Sequence, residues 1–124
     1  MSEALRGVVV CHGTVAEALV HATEHISGLS GHLFAVSNTG CDRESLEARI
    51  EEAVAGQPAV VFVDMASGSC LIATLRRLRE RPDVAVVTGV NLAMLVDFVF
   101  HLSLTPAAAA DHAAASGGKA IRQP

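Results

Sequence analysis

Short apolar runs alternate along this chain with segments whose apolar residues return every three or four positions. The runs RGVVVC (6–11), HLFAVS (32–37), PAVVFVD (58–64) and VAVVTG (84–89) have strand length. They are continuously apolar rather than alternating, as strands are in a sheet covered on both faces. Between them the helical period takes over. Residues 14–28 place Val15, Ala18, Leu19, Ala22 and Ile26 on one face, and Thr14 with Glu17 reads as a capping box. Gly28 suits the stop of that helix. Asp42 caps a second helix, 43–56, with Leu46, Ile50, Ala53 and Val54 as its buried stripe. Two more follow at 70–80 and at 91–102, the latter capped by Asn91.

The stretch TPAAAADHAAASGG (105–118) looks low in complexity but carries helix punctuation. Thr105 is an N-cap, Pro106 sits at the first helical position, and Gly117 or Gly118 closes the helix. KAIR (119–122) is then expected as a short final strand. Four strand–helix units in succession predict an α/β fold: a three-layer, mostly parallel sheet of four strands flanked by helices, with right-handed crossovers. With no repeat or linker, residues 1–124 are expected to form a single domain.

Composition narrows the function classes. Apolar residues make up 51 % of the chain and aromatics 3 %, so Val, Leu, Ile and Ala must build the core. The formal net charge is −4 and Lys119 is the only lysine. Arg76, Arg77, Arg79 and Arg81 cluster, but Glu80 and Asp83 dilute them. A nucleic-acid partner needs a basic face and, for single strands, stacking aromatics, so none is expected. Cys11, Cys41 and Cys70 form no CxxC pair, MSEALRG lacks the pattern of a signal peptide, and no apolar run reaches the roughly 20 residues of a membrane span. A cytoplasmic chain with reduced thiols and no direct membrane insertion is expected.

In open α/β sheets, sites form beyond the carboxyl ends of the strands, where strand order reverses. The loops there carry HGT (12–14), NTGCD (38–42), DMASGS (64–69) and TGVN (88–91). If the first and third strands are neighbours, His12 and Asp64 end side by side. A carboxylate bonded to one imidazole nitrogen fixes the tautomer and leaves the other nitrogen as a nucleophile. Gly13 and Thr14 open one helix; Ser67, Gly68 and Ser69 open another, and helix N-termini favour anions. The combination suits a phosphoryl group on His12, held by backbone N–H groups and the Ser69 hydroxyl. The plainer alternative is a strand-end histidine held by hydrogen bonds alone.

The segments VVVCHGTVAEALVHATEHISG, VFVDMASGSCLIATLRRL and VAVVTGVNLAMLVDFVF together resemble the mannose-family EIIA domain of the bacterial phosphoenolpyruvate-dependent sugar phosphotransferase system. That family opens on strand–His–Gly–helix, continues with Asp and a Gly-Gly-Ser-Pro turn, and then has Gly-Val-Asn-(Leu/Ile)-Pro-Met. The likeness covers nearly the whole chain in the same order. It implies that His12 is phosphorylated by the phosphocarrier HPr, that Asp64 orients its ring, and that Ser69 lies beside the phosphate. It implies a IIB-type acceptor and a homodimer in which the last short strand is exchanged between subunits, a role for 119–122. With no G-x-G-x-x-G after a strand and no Walker A motif, no cofactor is expected, and no metal. The chain departs from the family at Ser67 and Cys70 in the turn, and at Ala93 before Met94.

Other signals compete. HATEH (21–25) matches H-x-x-E-H, an inverted zinc-protease pattern, but no third ligand is evident and solvent-facing histidines explain it. His32, His101 and His112 read as scattered surface or helix-end residues. Cys11 reads as core, since neighbours in a strand face opposite ways. Cys70 reads as a packing residue at a helix start, where its pKa could also be lowered. Met65 and Met94 read as gap fillers beside the loops. The resulting expectation is a histidine phosphocarrier. The alternatives are a regulatory domain whose His12 phosphorylation state controls a partner without sugar transport, and a degenerate dimeric scaffold.

Overall fold

The computed structural model describes residues 4–124. Its elements run β1 (Arg6–Cys11), α1 (Val15–Ser27), β2 (Leu33–Ser37), α2 (Arg43–Val54), β3 (Ala59–Val63), α3 (Ser69–Leu78), β4 (Val84–Thr88), α4 (Leu92–Val99) and α5 (Pro106–Lys119). The four strands form one parallel sheet in the order β2-β1-β3-β4. The expected α/β architecture therefore holds. Strand order reverses between β1 and β3, whose register pairs Val8 with Val61 and Val10 with Val63.

The continuous apolar strands serve two cores at once. Val9, Cys11, Val60, Phe62 and Val87 point to one face, where Ala16 of α1, Leu95 and Phe98 of α4, and Ala109 and Ala113 of α5 cover them. Val8, Val10, Val61 and Val63 point to the other, under Leu46, Ile50 and Val54 of α2 and Ala73 and Leu78 of α3. This is the period-two alternation of a strand with apolar neighbours on both sides. Phe62 and Phe98 meet edge to face with ring centroids 5.1 Å apart.

Three caps form as the sequence indicates: Asp42 accepts from Ser45 N, Asn91 from Met94 N and Thr105 from Ala108 N. Four expectations need correction. Thr14 stands at the N-cap of α1 but makes no cap bond, because its φ of −100° and ψ of 9° are not the extended conformation a capping side chain needs. The buried face of α1 is turned from the predicted one: Ala16 and Thr23 are buried, whereas Val15 and Ile26 are 45 % and 58 % exposed. Thr23 can be buried because its hydroxyl donates to the Leu19 carbonyl at 2.7 Å. Gly117 and Gly118 do not end α5, which continues to Lys119. At Gly117 a Cβ would lie 2.8 Å from Met94 Cε, so the missing side chain lets α5 approach α4. Finally, residues 119–122 form no strand: Lys119 ends the helix, and the following residues are neither helix nor strand.

Candidate functional site

β1 and β3 lie side by side, and their last residues deliver His12 and Asp64 to one point above the sheet. One oxygen of Asp64 does two jobs there. Oδ2 accepts from the His12 backbone N–H at 2.8 Å and lies 2.8 Å from His12 Nδ1. Burial pushes the Asp64 carboxyl upward, but these hydrogen bonds and the nearby imidazole outweigh it and hold the group below the usual carboxylate range. Asp64 is therefore ionised near neutral pH. An ionised carboxylate only accepts, so in the neutral ring Nδ1 carries the proton and Nε2 the lone pair. The His12 side chain is 41 % exposed and that of Asp64 15 %, so the free nitrogen is open to a partner while its anchor is covered. Asp64 Oδ1 is buried without a hydrogen-bond partner among the described residues.

The ring faces the start of α3. Gly68 has a φ of +95°, and a Cβ built there would stand 3.8 Å from both Cε1 and Nε2 of His12. A side chain at 68 would thus be strained by the positive φ, and its Cβ would rest in van der Waals contact with the ring. The first helical bond of α3 runs from Ile72 N to the Gly68 carbonyl at 3.0 Å. The amides of Ser69, Cys70 and Leu71 precede it and are the orphan donors of a helix start.

The two helix ends are not equivalent. At α1, Gly13 N donates to Asn38 Oδ1 at 3.2 Å and Val15 N to the His12 carbonyl at 3.3 Å. Two of the amides at the start of α1 are thus engaged within the protein. Thr14 and Ser67 are exposed and make no hydrogen bond to the ring among the described residues. Ser69 joins through Asn38, whose Nδ2 donates to Ser69 Oγ at 3.4 Å. Sequence reasoning singled out the NTGCD loop but missed Asn38 as a brace between the two helix starts. The available signal was an amide side chain directly after β2, beside the strand-order reversal.

Cys70 is buried with Sγ 3.8 Å from His12 Nδ1. Burial, and next the charge of Asp64, push its thiol up to about 11, opposite to the lowering that a helix start could give. Cys11 is buried in the core, as expected, and burial followed by the Asp64 charge pushes it up to about 12. His21 and His25 are exposed on α1, and among the described residues they belong to no group with metal-ligand spacing. His101 and His112 are not scattered, as their spacing suggested: their ring centroids lie 4.0 Å apart.

Residues 7–115 match the EIIA-man family, described as PTS system fructose IIA component. No curated protein matches the chain. Among solved structures, the chain is similar to the phosphotransferase system component EIIA from Streptococcus agalactiae, with 18 % identity, 96 % of each chain covered and a TM-score of 0.88. It is similar to the mannose/sorbose specific IIA subunit from Enterococcus faecalis, at 22 % identity, covering 98 % of this chain and 96 % of that one, TM-score 0.81. It is also similar to a sigma-54 interaction domain protein from Enterococcus faecalis, at 13 % identity over 98 % of this chain and 96 % of that one, TM-score 0.77. At these identities the structures establish the fold.

Proposed function

Because this chain belongs to the EIIA-man family of the sugar phosphotransferase system, we propose that it is a phosphocarrier that takes a phosphoryl group from phospho-HPr onto His12 Nε2 and passes it to a IIB-type acceptor. The Nε2 lone pair attacks phosphorus in line as the phosphorus–nitrogen bond of the donor histidine breaks. The donor imidazole keeps that electron pair, and nothing is oxidised or reduced. His12 becomes a phosphoimidazolium, and the positive charge developing on the ring strengthens the Nδ1–H bond to Asp64. Phosphoryl transfer asks little covalent chemistry of the protein beyond positioning and electrostatics. The orphan amides of Ser69, Cys70 and Leu71, beside the ring, stabilise the charge on the equatorial oxygens.

One observation carries this reading: Asp64 Oδ2 grips both the main chain and the ring of His12 and leaves Nε2 toward the start of α3. Incubation with phosphoenolpyruvate, enzyme I and HPr tests it. An acid-labile mass gain of one phosphoryl group is expected, and its absence would reject the reading. The same reading takes residues 1–124 as one domain of this type, acting in the cytoplasm as a homodimer. No helix of the described residues is long and apolar enough to cross a membrane. The likeness to a sigma-54 interaction domain protein favours a second reading, in which the same phosphorylation is a signal read by a partner rather than a step toward a sugar. Transfer from the charged chain to a purified IIB domain separates the two.

A further inference from the structure

Where α4 ends it meets the middle of α5 in a cluster that phosphate transfer does not use. Asp97 Oδ2 lies 2.9 Å from His112 Nδ1, and Ser116 Oγ donates to Asp97 Oδ1 at 2.9 Å. His101 Nδ1 stands 3.6 Å from Asp97 Oδ1 and bonds the Asp97 backbone carbonyl at 2.7 Å. The two rings are tilted by 35° with centroids 4.0 Å apart. The Asp97 side chain is only 11 % exposed, and among the described residues its ionic partners are these two histidines, with no lysine or arginine.

A largely buried carboxylate requires a compensating cation. Protonated imidazoles can supply one, but rings this close repel when both are charged. A divalent ion answers both demands, since it takes neutral imidazole nitrogens and a carboxylate oxygen together. One ligand atom from each of Asp97, His101 and His112 lies within 4.8 Å of the others. A tetrahedral ion with bonds of about 2.0–2.2 Å holds its ligand atoms about 3.3–3.6 Å apart; His112 Nδ1 lies 2.9 Å from Oδ2 and His101 Nδ1 lies 3.6 Å from Oδ1 of the same carboxylate, so small side-chain adjustments bring one oxygen and both nitrogens to that spacing. Ser116 donates to Oδ1, which leaves Oδ2 as the ligating oxygen, and it is the kind of outer partner that orients a ligating carboxylate. The histidines are 35 % and 48 % exposed, so an ion has a way in.

We propose that Asp97, His101 and His112 form a site for a divalent transition metal, zinc being the probe ion, that ties α4 to α5 and leaves a fourth position to water. His101 exchanges its bond to the Asp97 carbonyl for the ion by a small ring rotation. The site is independent of the role given to His12. The test titrates the chelator-treated full chain with zinc ions against a chromophoric chelator, under reducing conditions, with circular dichroism as a check of folding. One zinc per chain is expected. His112→Ala and His101→Ala should each weaken it roughly tenfold or more, and should remove the zinc-dependent rise in Tm. His12→Ala, which dismantles the other cluster of potential ligands, should leave both unchanged. Where an alanine variant fails to fold, His112→Gln takes its place with the same expectation. No zinc bound by the wild type, equal affinity in the His112 variants, or loss of binding in His12→Ala or His21→Ala instead, would overturn the proposal.

Discussion

Two histidines in this chain meet an aspartate through Nδ1 at nearly the same distance, 2.8 Å for His12 and 2.9 Å for His112. The bond is common to both, so the bond alone cannot make a phosphate site. At His12 a single carboxylate oxygen also takes a backbone N–H, which fixes the ring to the end of β1. Its other nitrogen then faces Gly68 and the start of a ten-residue helix. At His112 the same carboxylate serves a second histidine and a serine, and the neighbouring surface is another imidazole. An aspartate decides which nitrogen is free; what stands in front of that nitrogen decides what it does. Helix amides suit an oxyanion, and a second imidazole with a carboxylate suits a cation.

Removing each histidine in turn should separate the two pairs most sharply. His12→Ala is expected to abolish the acid-labile phosphoryl gain, while His112→Ala charges normally; intact-mass measurement after incubation with phospho-HPr reads both. Next in size, Asp64→Asn should slow charging by about 10²-fold or more, because an amide neither holds the Nδ1–H tautomer nor balances the developing ring charge. Asp97→Asn should leave the rate unchanged. Rapid-quench kinetics on the two variants would undo the contrast if they fell together.

Smaller effects sharpen the surroundings rather than the pair. Gly68→Ala forces a side chain into a φ of +95°; a loss of about 1–3 kcal/mol in denaturant unfolding is expected, together with slower charging. Acid stability should also distinguish Asp64. Its carboxyl is lowered in the folded chain, chiefly by the bonds from His12 acting against burial. Its stabilising contribution is therefore present above the unfolded carboxylate value of about 3.9 and is lost as pH falls through the lower folded value. The stability gap between wild type and Asp64→Asn should be open near neutral pH and should close in acid. The smallest effect contrasts two adjacent glycines of α5. Gly117→Ala meets Asn91 and the flexible end of Met94, and should cost about 0.5–1 kcal/mol once the helix gain of alanine is set against the crowding. Gly118→Ala has nothing within 4 Å and should gain about 0.5–1 kcal/mol from lower unfolded-state entropy.

The readable parts of the sequence were those in which local pattern and tertiary demand agree. Continuous apolar runs such as VVV and AVVFV announced strands buried on both faces, and the pairing of His12 with Asp64 followed from one assumption, that β1 and β3 are neighbours. What stayed hidden depends on contacts between distant segments. The face of α1 turned because Thr23 satisfies its own hydroxyl within the helix and behaves as an apolar residue. Gly117 looked like a helix stop, but its small size serves Met94 and Asn91, more than twenty residues earlier in the chain. The engagement of the Gly13 amide by Asn38, which reaches across from the end of β2, was not visible either. His101 and His112 looked unrelated because the turn that brings α5 back along α4 is not visible in their spacing.

The most direct test of the central claim is ¹⁵N NMR of the charged chain with ring-labelled histidines. Phosphate should appear on Nε2 of His12 alone, with Nδ1 of the same ring still protonated. Phosphate on Nδ1, or on any other histidine, would contradict the geometry in which Asp64 holds one nitrogen and the start of α3 receives what the other carries.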